Sequence, residues 1–378
     1  MSIETTITRA WQRQAAWLWL LLPLSWLYAL ITMLRRHAYR VGLLPSYQAP
    51  IPVMVIGNIT VGGSGKTPLI ISLVEYLQQQ NVKVGVISRG YGGDSSQMPA
   101  LVTHNSLPSI VGDEPSLIVT MTGAPMAVCP NRKQAITTLL NAHPKLQLII
   151  ADDGLQHYAL QRDIEWIVVD TARGFSNKQL LPTGFLREPL SRLSESTVIY
   201  HQPLTIDNNH KQLDKRYSDA SLTMQLDPSA LQRLISRADL KSNNSKSTQS
   251  AVQELTLAPV LGSTVHAVSG IGYPQRFFDT LKNLGYQTLD HPYPDHYDFS
   301  IADLLQYTEY PIIVTTKDAV KIRVLLRQAI DSQLTNQSYN ALVDRLWVLP
   351  VTAMLSDDCY HILRQQLHSL EITLSSKL

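Results

Sequence analysis

Lys66 and Thr67, with the glycines before them, are the residues whose types and spacing most clearly point to chemistry. The run Thr60-Val61-Gly62-Gly63-Ser64-Gly65-Lys66-Thr67-Pro68 follows a short apolar stretch, Val53 to Ile56, and precedes Leu69, Ile70, Leu73, Val74 and Leu77 at helical spacing. Strand, glycine loop, Lys-Thr and helix together are the setting of a phosphate-binding P-loop. Gly62, Gly63 and Gly65 let backbone N–H groups close around phosphate oxygens, and the helix N-terminus adds its positive end. Lys66 is placed to reach the β- and γ-phosphates of a nucleotide, and the Thr67 hydroxyl to hold Mg²⁺. Thr60 stands where the strict motif has Gly. The bland alternative is a glycine-rich turn that binds nothing, but Gly-Lys-Thr between strand and helix favours a nucleoside triphosphate.

Asp152 and Asp153 are the second signal. They end the apolar run 146–151, and an acid at the tip of a buried strand downstream of a P-loop is the Walker B arrangement, whose carboxylate holds Mg²⁺. Asp152 is the expected direct ligand and Asp153 its neighbour. Asp113 and Glu114 precede a helical run, 116–121. On residue type alone this pair fits a helix cap and a catalytic site equally well. Arg187 and Glu188 lie in a breaker-rich loop, 180–190. They suit either a rigid site, with Arg187 on phosphate and Glu188 on a metal or hydroxyl, or a surface ion pair. The loop 291–299 holds two imidazoles and two carboxylates. Lys317 and Asp318 end a strand, 312–316, but stand adjacent, so they do not form the guanine-reading motif of GTPases.

These residues need elements to position them, and the periodicities supply an α/β chain. Strands are expected at 82–88, 127–129, 146–151, 164–170, 197–200, 265–269, 286–289, 312–316 and 346–349, with helices between several of them. A chain of 378 residues suits one large or two medium domains. A formal charge of +2 with 16% charged residues gives no reason to expect nucleic acid. Cys129 and Cys359 form no metal spacing and fit a reducing compartment. Residues 15–34 carry no charge, are flanked by Arg9, Arg13, Arg35, Arg36 and Arg40, and include Trp17, Trp19, Trp26 and Tyr28. That is about the ~20 residues a bilayer span requires, and the aromatic residues are interface-seeking. The stretch reads as a helix that spans the membrane or lies in its interface. The Ser/Asn-rich run 242–250 has the composition of a flexible insertion.

Taken in order, 58–68, Ser88-Arg89-Gly90-Tyr91-Gly92, Gly112-Asp113-Glu114-Pro115, Asp152-Asp153-Gly154-Leu155-Gln156-His157, Leu186-Arg187-Glu188-Pro189, Pro294-Asp295-His296-Tyr297 and 316–321 resemble the tetraacyldisaccharide 4'-kinases, the lipid A 4'-kinases of Gram-negative bacteria. The resemblance runs from about Trp11 to Gln366, and the family has Thr at the Thr60 position. It implies a P-loop NTPase-type, mostly parallel sheet flanked by helices, a smaller C-terminal α/β lobe completing a cleft, and an N-terminal membrane-associated helix. The expected divisions are 1–40 for the anchor, 41–203 for the kinase core, 204–256 for a variable, partly flexible segment and 257–378 for the C-terminal lobe.

The resemblance further implies transfer of the ATP γ-phosphoryl group to the 4'-hydroxyl of tetraacyldisaccharide 1-phosphate, with Mg²⁺. It implies Asp113 as the base, His296 as its partner and Lys66 on the phosphoryl group. Thr60, Val61, Gly62, Gly63, Ser64, Gly65, Lys66 and Thr67 would bind ATP; Thr67, Asp152, Asp153 and Glu114 would serve the metal; Arg132, Gln156, His157, Arg187 and Glu188 would line the cleft. The partners implied are a membrane-embedded lipid A precursor and inner-membrane lipids, with the catalytic face cytoplasmic and no obligate protein partner. A membrane-associated P-loop switch or partitioning NTPase is the alternative. It predicts nucleotide-dependent complexes with partner proteins and leaves the 112–115 and 186–189 loops without a role.

Overall fold

The computed structural model describes residues 7, 10, 11, 13–203, 220–235, 258–331 and 337–374. Residues 204–219 and 236–257, including the Ser/Asn-rich run, lie outside them; within 220–235 the strands Thr223–Pro228 and Gln232–Arg233 form. Two compact units emerge. The first comprises Met1–Ser106, Ile110–Asp227 and Thr352–Leu378, and the second Leu107–Ser109 with Pro228–Val351.

The strands of the first unit are β1 (Val53–Gly57), β2 (Val84–Ser88), β3 (Ala100–Val102), β4 (Met126–Val128), β5 (Leu148–Asp152), β6 (Ile164–Asp170), β7 (Thr197–Gln202) and β8 (Thr223–Pro228). In the second, β9 (Gln232–Arg233), β10 (Thr264–Ser269), β11 (Gln287–Pro292), β12 (Ile312–Thr315) and β13 (Leu346–Leu349) follow, and β14 (Val351–Leu355) returns the chain to the first sheet. The first sheet has the order β14-β8-β7-β6-β1-β5-β2-β4-β3. Its pairings from β8 through β4 are parallel, and β3 runs antiparallel at one edge. In β1 the side chains alternate. Met54 and Ile56 join a core with the helices Lys66–Gln79, Asp113–Thr122 and Asp357–Ser369, while Val53 and Val55 face the helix Arg132–Ala142. A strand buried on both faces reads as a continuous apolar run, which is why β1 and β5 are so plain in the sequence.

The last helix, Asp357–Ser369, groups with the first unit, although the sequence expectation drew it into a C-terminal lobe of 257–378. Cys359, Leu363 and Leu367 enter the first core, and Gln366 accepts from the buried Trp166 Nε1 at 2.9 Å. An amphipathic helix states which face it buries but not against which sheet.

The second unit has the sheet order β11-β10-β12-β13-β9, parallel except for β9. The helix Thr316–Asp331 begins directly at the end of β12, so Lys317 and Asp318 lie on its first turn, not on a strand tip. Asp318 is 1% exposed; its Oδ2 accepts from Gly270 N at 3.1 Å and Thr315 Oγ1 at 2.6 Å. Burial pushes its carboxyl up to about 6, against these hydrogen bonds and Lys317 and Lys321. A native carboxyl raised from 3.8 binds more protons than the unfolded chain, so its contribution to stability is lost as pH rises through about 6. Asp318→Asn, which keeps an acceptor, is therefore expected to raise the melting temperature by roughly 2–4 °C at pH 8, with the gain shrinking below pH 5. Thermal melts at both pH values check this; an equal gain at each would contradict the assignment.

In the N-terminal segment, a helical run from Ala16 continues as the helix Leu22–Arg40. One stripe docks on the 180–195 loop. Ser25 Oγ lies 2.8 Å from Thr183 Oγ1 and accepts from Thr183 N at 3.0 Å, and Tyr28 donates to Arg187 O at 3.0 Å. Arg36 and Arg40 pair with Glu195. The remaining faces present Leu20, Leu24, Trp26, Leu27, Ile31, Met33 and Leu34 to solvent. Among the described residues this is the one helix long and apolar enough to cross a membrane.

Candidate active site

The site is assembled at the C-terminal ends of neighbouring strands. β1 runs into the P-loop, and Ile56 is in register with Asp152 of β5, which brings the Asp152-Asp153 tip beside the loop. Gly62 and Gly65 take φ of 93° and 94°, a left-handed conformation that L side chains rarely adopt, and the helix starts at Lys66. Lys66 Nζ lies 3.2 Å from Asn58 Oδ1 and 3.4 Å from Asp153 Oδ1. The Ser64 hydroxyl is buried without a partner among the described residues.

Asp152 is 2% exposed. Its Oδ2 accepts from Ser88 Oγ at 3.1 Å, while Oδ1 is buried with no partner among the described residues. Burial, followed by the charges of Glu114 and Asp153, pushes its carboxyl up to about 7 against Lys66 and Arg132. Asp153 behaves oppositely. Burial opposes its charge, but Lys66 and Arg187 outweigh it and hold the carboxyl well below the usual carboxylate range. Arg187 makes a forked contact to Asp153, at 3.1 and 3.2 Å, and donates to Thr60 O at 3.0 Å and to Asn58 Oδ1.

Glu188, 3% exposed, has both oxygens engaged: Gln156 Nε2 at 2.8 Å, Tyr158 OH at 2.7 Å and Arg192 Nε at 3.1 Å. Gln156 also donates to Asn58 O at 3.1 Å. Arg187 and Glu188 are thus no surface ion pair with each other; Arg187 ties the 180–190 loop to the P-loop and Asp153, and Glu188 ties it to the 154–158 turn. Arg132 is 3% exposed and donates to Asp152 O at 3.1 Å and Cys129 O at 3.2 Å. His157 is lowered to about 4 by burial and then by Arg132, Arg162, Arg35 and Arg89, so it is neutral at physiological pH. Arg132 and His157 line a cavity of about 310 Å³ together with Tyr47, Asn131 and Lys133.

Asp113 opens the helix Asp113–Thr122 and is 5% exposed; Glu114 follows it, close enough for its charge to raise Asp152. Gly112 is required before them: at φ 96° a Cβ would meet Tyr91 O at 2.6 Å. His296 belongs to the second unit. Its Nε2 lies 3.2 Å from Lys317 Nζ, and Lys317 also contacts Asp295 Oδ1 at 3.3 Å. An ammonium only donates, so Nε2 accepts and the ring proton sits on Nδ1.

The first unit therefore brings together Thr60, Lys66, Asp152, Asp153, Gln156, Arg187 and Glu188. Asp113 and His296 fall in different units. Asn58, the hub between Lys66, Arg187 and Gly62, has no role that its residue type announces in the sequence, although it opens the 58–68 run. Tyr158 and Arg192, which hold Glu188, had no motif to mark them. No group of three or more His, Cys, Asp or Glu among the described residues forms a ready-made metal cage. That suits Mg²⁺, which takes one or two carboxylates and completes its shell with water and phosphate, and Asp152 Oδ1 is a buried acceptor in want of a cation.

A family model described as tetraacyldisaccharide-1-P 4'-kinase matches residues 17–368. A tetraacyldisaccharide 4'-kinase of Psychrobacter arcticus is 66% identical to this chain, over 100% of it and 98% of that protein. One from Actinobacillus pleuropneumoniae serotype 7 is 42% identical, over 92% and 94%. Among solved structures, LpxK from Aquifex aeolicus in complex with ATP has a TM-score of 0.63 at 22% identity, covering 93% of this chain and 98% of that one, a likeness of fold.

Proposed function

The chain belongs to the tetraacyldisaccharide-1-P 4'-kinase family, and from that premise we propose how its residues perform the transfer. It is an ATP-dependent kinase that moves the γ-phosphoryl group to the 4'-hydroxyl of tetraacyldisaccharide 1-phosphate in lipid A biosynthesis. The observation that carries the residue assignment is the cluster at the P-loop: Lys66 held by Asn58 and Asp153, beside a buried Asp152 with an unpartnered oxygen.

In the proposed mechanism, 60–67 cradle the triphosphate through backbone N–H groups, and Lys66 neutralises charge on the phosphoryl group as it moves. Thr67 and Asp152 would hold Mg²⁺, with Asp153 and Glu114 beside them, and the ion would supply neutralisation of phosphate charge. Asp113 takes the proton from the 4'-hydroxyl as that oxygen bonds to phosphorus and the bond to the β-phosphate oxygen breaks. His296 is proposed as a further residue this step depends on. Arg187 and Glu188 brace the P-loop and the 154–158 turn, and Arg132 and His157 face the lipid headgroup.

The proposal extends to location: the N-terminal helix lies in the interface on the cytoplasmic side of the inner membrane. Its contacts to the protein at Ser25, Tyr28, Arg36 and Arg40 run along much of its length, which favours lying in the interface over crossing the bilayer. The exposed Trp17, Trp19 and Trp26 and the leucines would enter the headgroup boundary, where the lipid substrate resides. One experiment tests both parts: transfer of labelled phosphate from ATP to tetraacyldisaccharide 1-phosphate, presented in detergent micelles and in anionic vesicles. Labelled lipid is expected in both, and a Leu20→Ser/Trp26→Ser variant should lose transfer in vesicles while keeping it in micelles. Hydrolysis of ATP without labelled lipid would reject the residue roles, and an unaffected variant in vesicles would reject the anchor.

A further inference from the structure

Three P-loop carbonyls are each held by a side chain, and two of those side chains come from far along the sequence. Arg173 Nη1 donates to Val61 O at 2.8 Å, Asn58 Nδ2 to Gly62 O at 3.2 Å, and His201 Nδ1 lies 3.0 Å from Ser64 O. A carbonyl can only accept, so His201 carries a proton on Nδ1. In a planar trans peptide the C=O of one residue points opposite to the N–H of the next. Gripping the Val61, Gly62 and Ser64 carbonyls therefore fixes the Gly62, Gly63 and Gly65 N–H groups, each turned away from the side chain that holds its peptide.

The glycines fit the same reading. A Cβ at Gly62 would lie 2.9 Å from Arg173 Nη1, and one at Gly65 would lie 2.9 Å from His201 Nδ1 and 2.7 Å from Met224 Cε. Glycine at these two positions is what lets the gripping side chains approach the backbone, besides permitting the left-handed φ. Arg173 is itself fixed, with its guanidinium 4.8 Å from the centre of the Phe185 ring, and Phe185 O accepts from Val61 N at 2.9 Å. His201 sits on β7 and is 3% exposed; its own carbonyl accepts from Thr171 Oγ1 at 2.8 Å and Thr171 N at 3.0 Å.

We infer that Arg173 and His201 are positioning residues for the triphosphate: they preset the P-loop peptide planes so that its N–H groups face the phosphates before ATP arrives. This rests on the kinase reading of the loop and adds residues to it that the motif does not contain. Neither side chain needs to touch the nucleotide. Their effect is on ATP affinity, because a loop with free peptide planes must be ordered by the ligand at the ligand's expense.

The test measures binding of ATP, of tripolyphosphate and of adenosine by calorimetry, with the KM for ATP and for the lipid from transfer assays. Arg173→Ala and His201→Ala are each expected to weaken ATP and tripolyphosphate about tenfold and equally, leaving adenosine binding and the lipid KM unchanged. Arg173→Lys and His201→Asn, which retain an N–H donor, should recover most of the loss. A purely structural role would lower the melting temperature and the active fraction without moving either KM. Unchanged tripolyphosphate affinity in the alanine variants, or ATP and lipid KM values rising together, would overturn the inference. If Arg173→Ala does not fold, His201→Ala and the two conservative variants decide. Wild-type protein that bound no ATP would overturn the nucleotide reading of the P-loop instead.

Discussion

Asp113→Asn is expected to lower kcat for transfer to the lipid by about 10²–10⁴-fold while ATP still binds with near wild-type affinity. The side chains are nearly isosteric, and Asp113 lies at the first residue of its helix, so the substitution removes the carboxylate while keeping its shape. What it also removes is a favourable charge at a helix N-terminus, worth about 0.3–1 kcal/mol, so the melting temperature should fall by only a few degrees. Glu114→Gln is the control. Glu114 is close enough for its charge to raise Asp152, and removing it should act through the metal, raising the Mg²⁺ concentration needed for half-maximal rate more than it lowers the maximal rate. If Asp113→Asn kept its kcat and Glu114→Gln lost it, the roles of the two neighbours would have to be exchanged. Dependence on His296 gives a further arm. His296→Ala should lower kcat but less than Asp113→Asn, and the double variant should lose little more than Asp113→Asn alone, since groups acting as a unit are not additive.

How much of this was legible in the sequence follows from how local each signal is. The strand Val53–Gly57, the two left-handed glycines and the helix from Lys66 are one continuous stretch, and their pattern names them. The Asp152 tip is legible for the same reason, because a strand buried on both faces is a run of apolar residues, against which the two closing acids stand out. Strands β3, β8, β9 and β14 are not legible in the sequence. They lie at or next to the edges of their sheets, β8 has only Met224 fully buried, and such strands carry a weak alternation. Glu188 was legible as a residue type in a rigid loop, but not as the shared acceptor of Gln156, Tyr158 and Arg192, since hydrogen-bond partners are chosen by tertiary packing. Arg173 and His201 show the limit most sharply: each reaches a P-loop carbonyl more than a hundred residues away, and no local pattern distinguishes them from any other arginine or histidine. What a P-loop motif states is that phosphate is bound; what holds the loop in shape is written elsewhere in the chain.

Lys66→Ala should be as damaging as Asp113→Asn but in a different way. Lys66 is the cation among Asp152, Asp153 and Glu114 that is placed to follow the phosphoryl group, so its loss should lower kcat by about 10² or more and weaken ATP as well. Arg187 cannot replace it, because its guanidinium is already committed to Asp153, Asn58 and the Thr60 carbonyl. Asp153 separates a charge effect from an orientation effect. If its role is to hold the Lys66 ammonium in place, Asp153→Asn should lower kcat on its own, and adding it to Lys66→Ala should cost almost nothing further. If instead Asp153 contributes through the metal independently of Lys66, the two losses should multiply. Steady-state kinetics of the two single variants and the double variant, with circular dichroism to establish that each is folded, separates the cases. Full transfer by folded Lys66→Ala protein would remove Lys66 from the mechanism altogether.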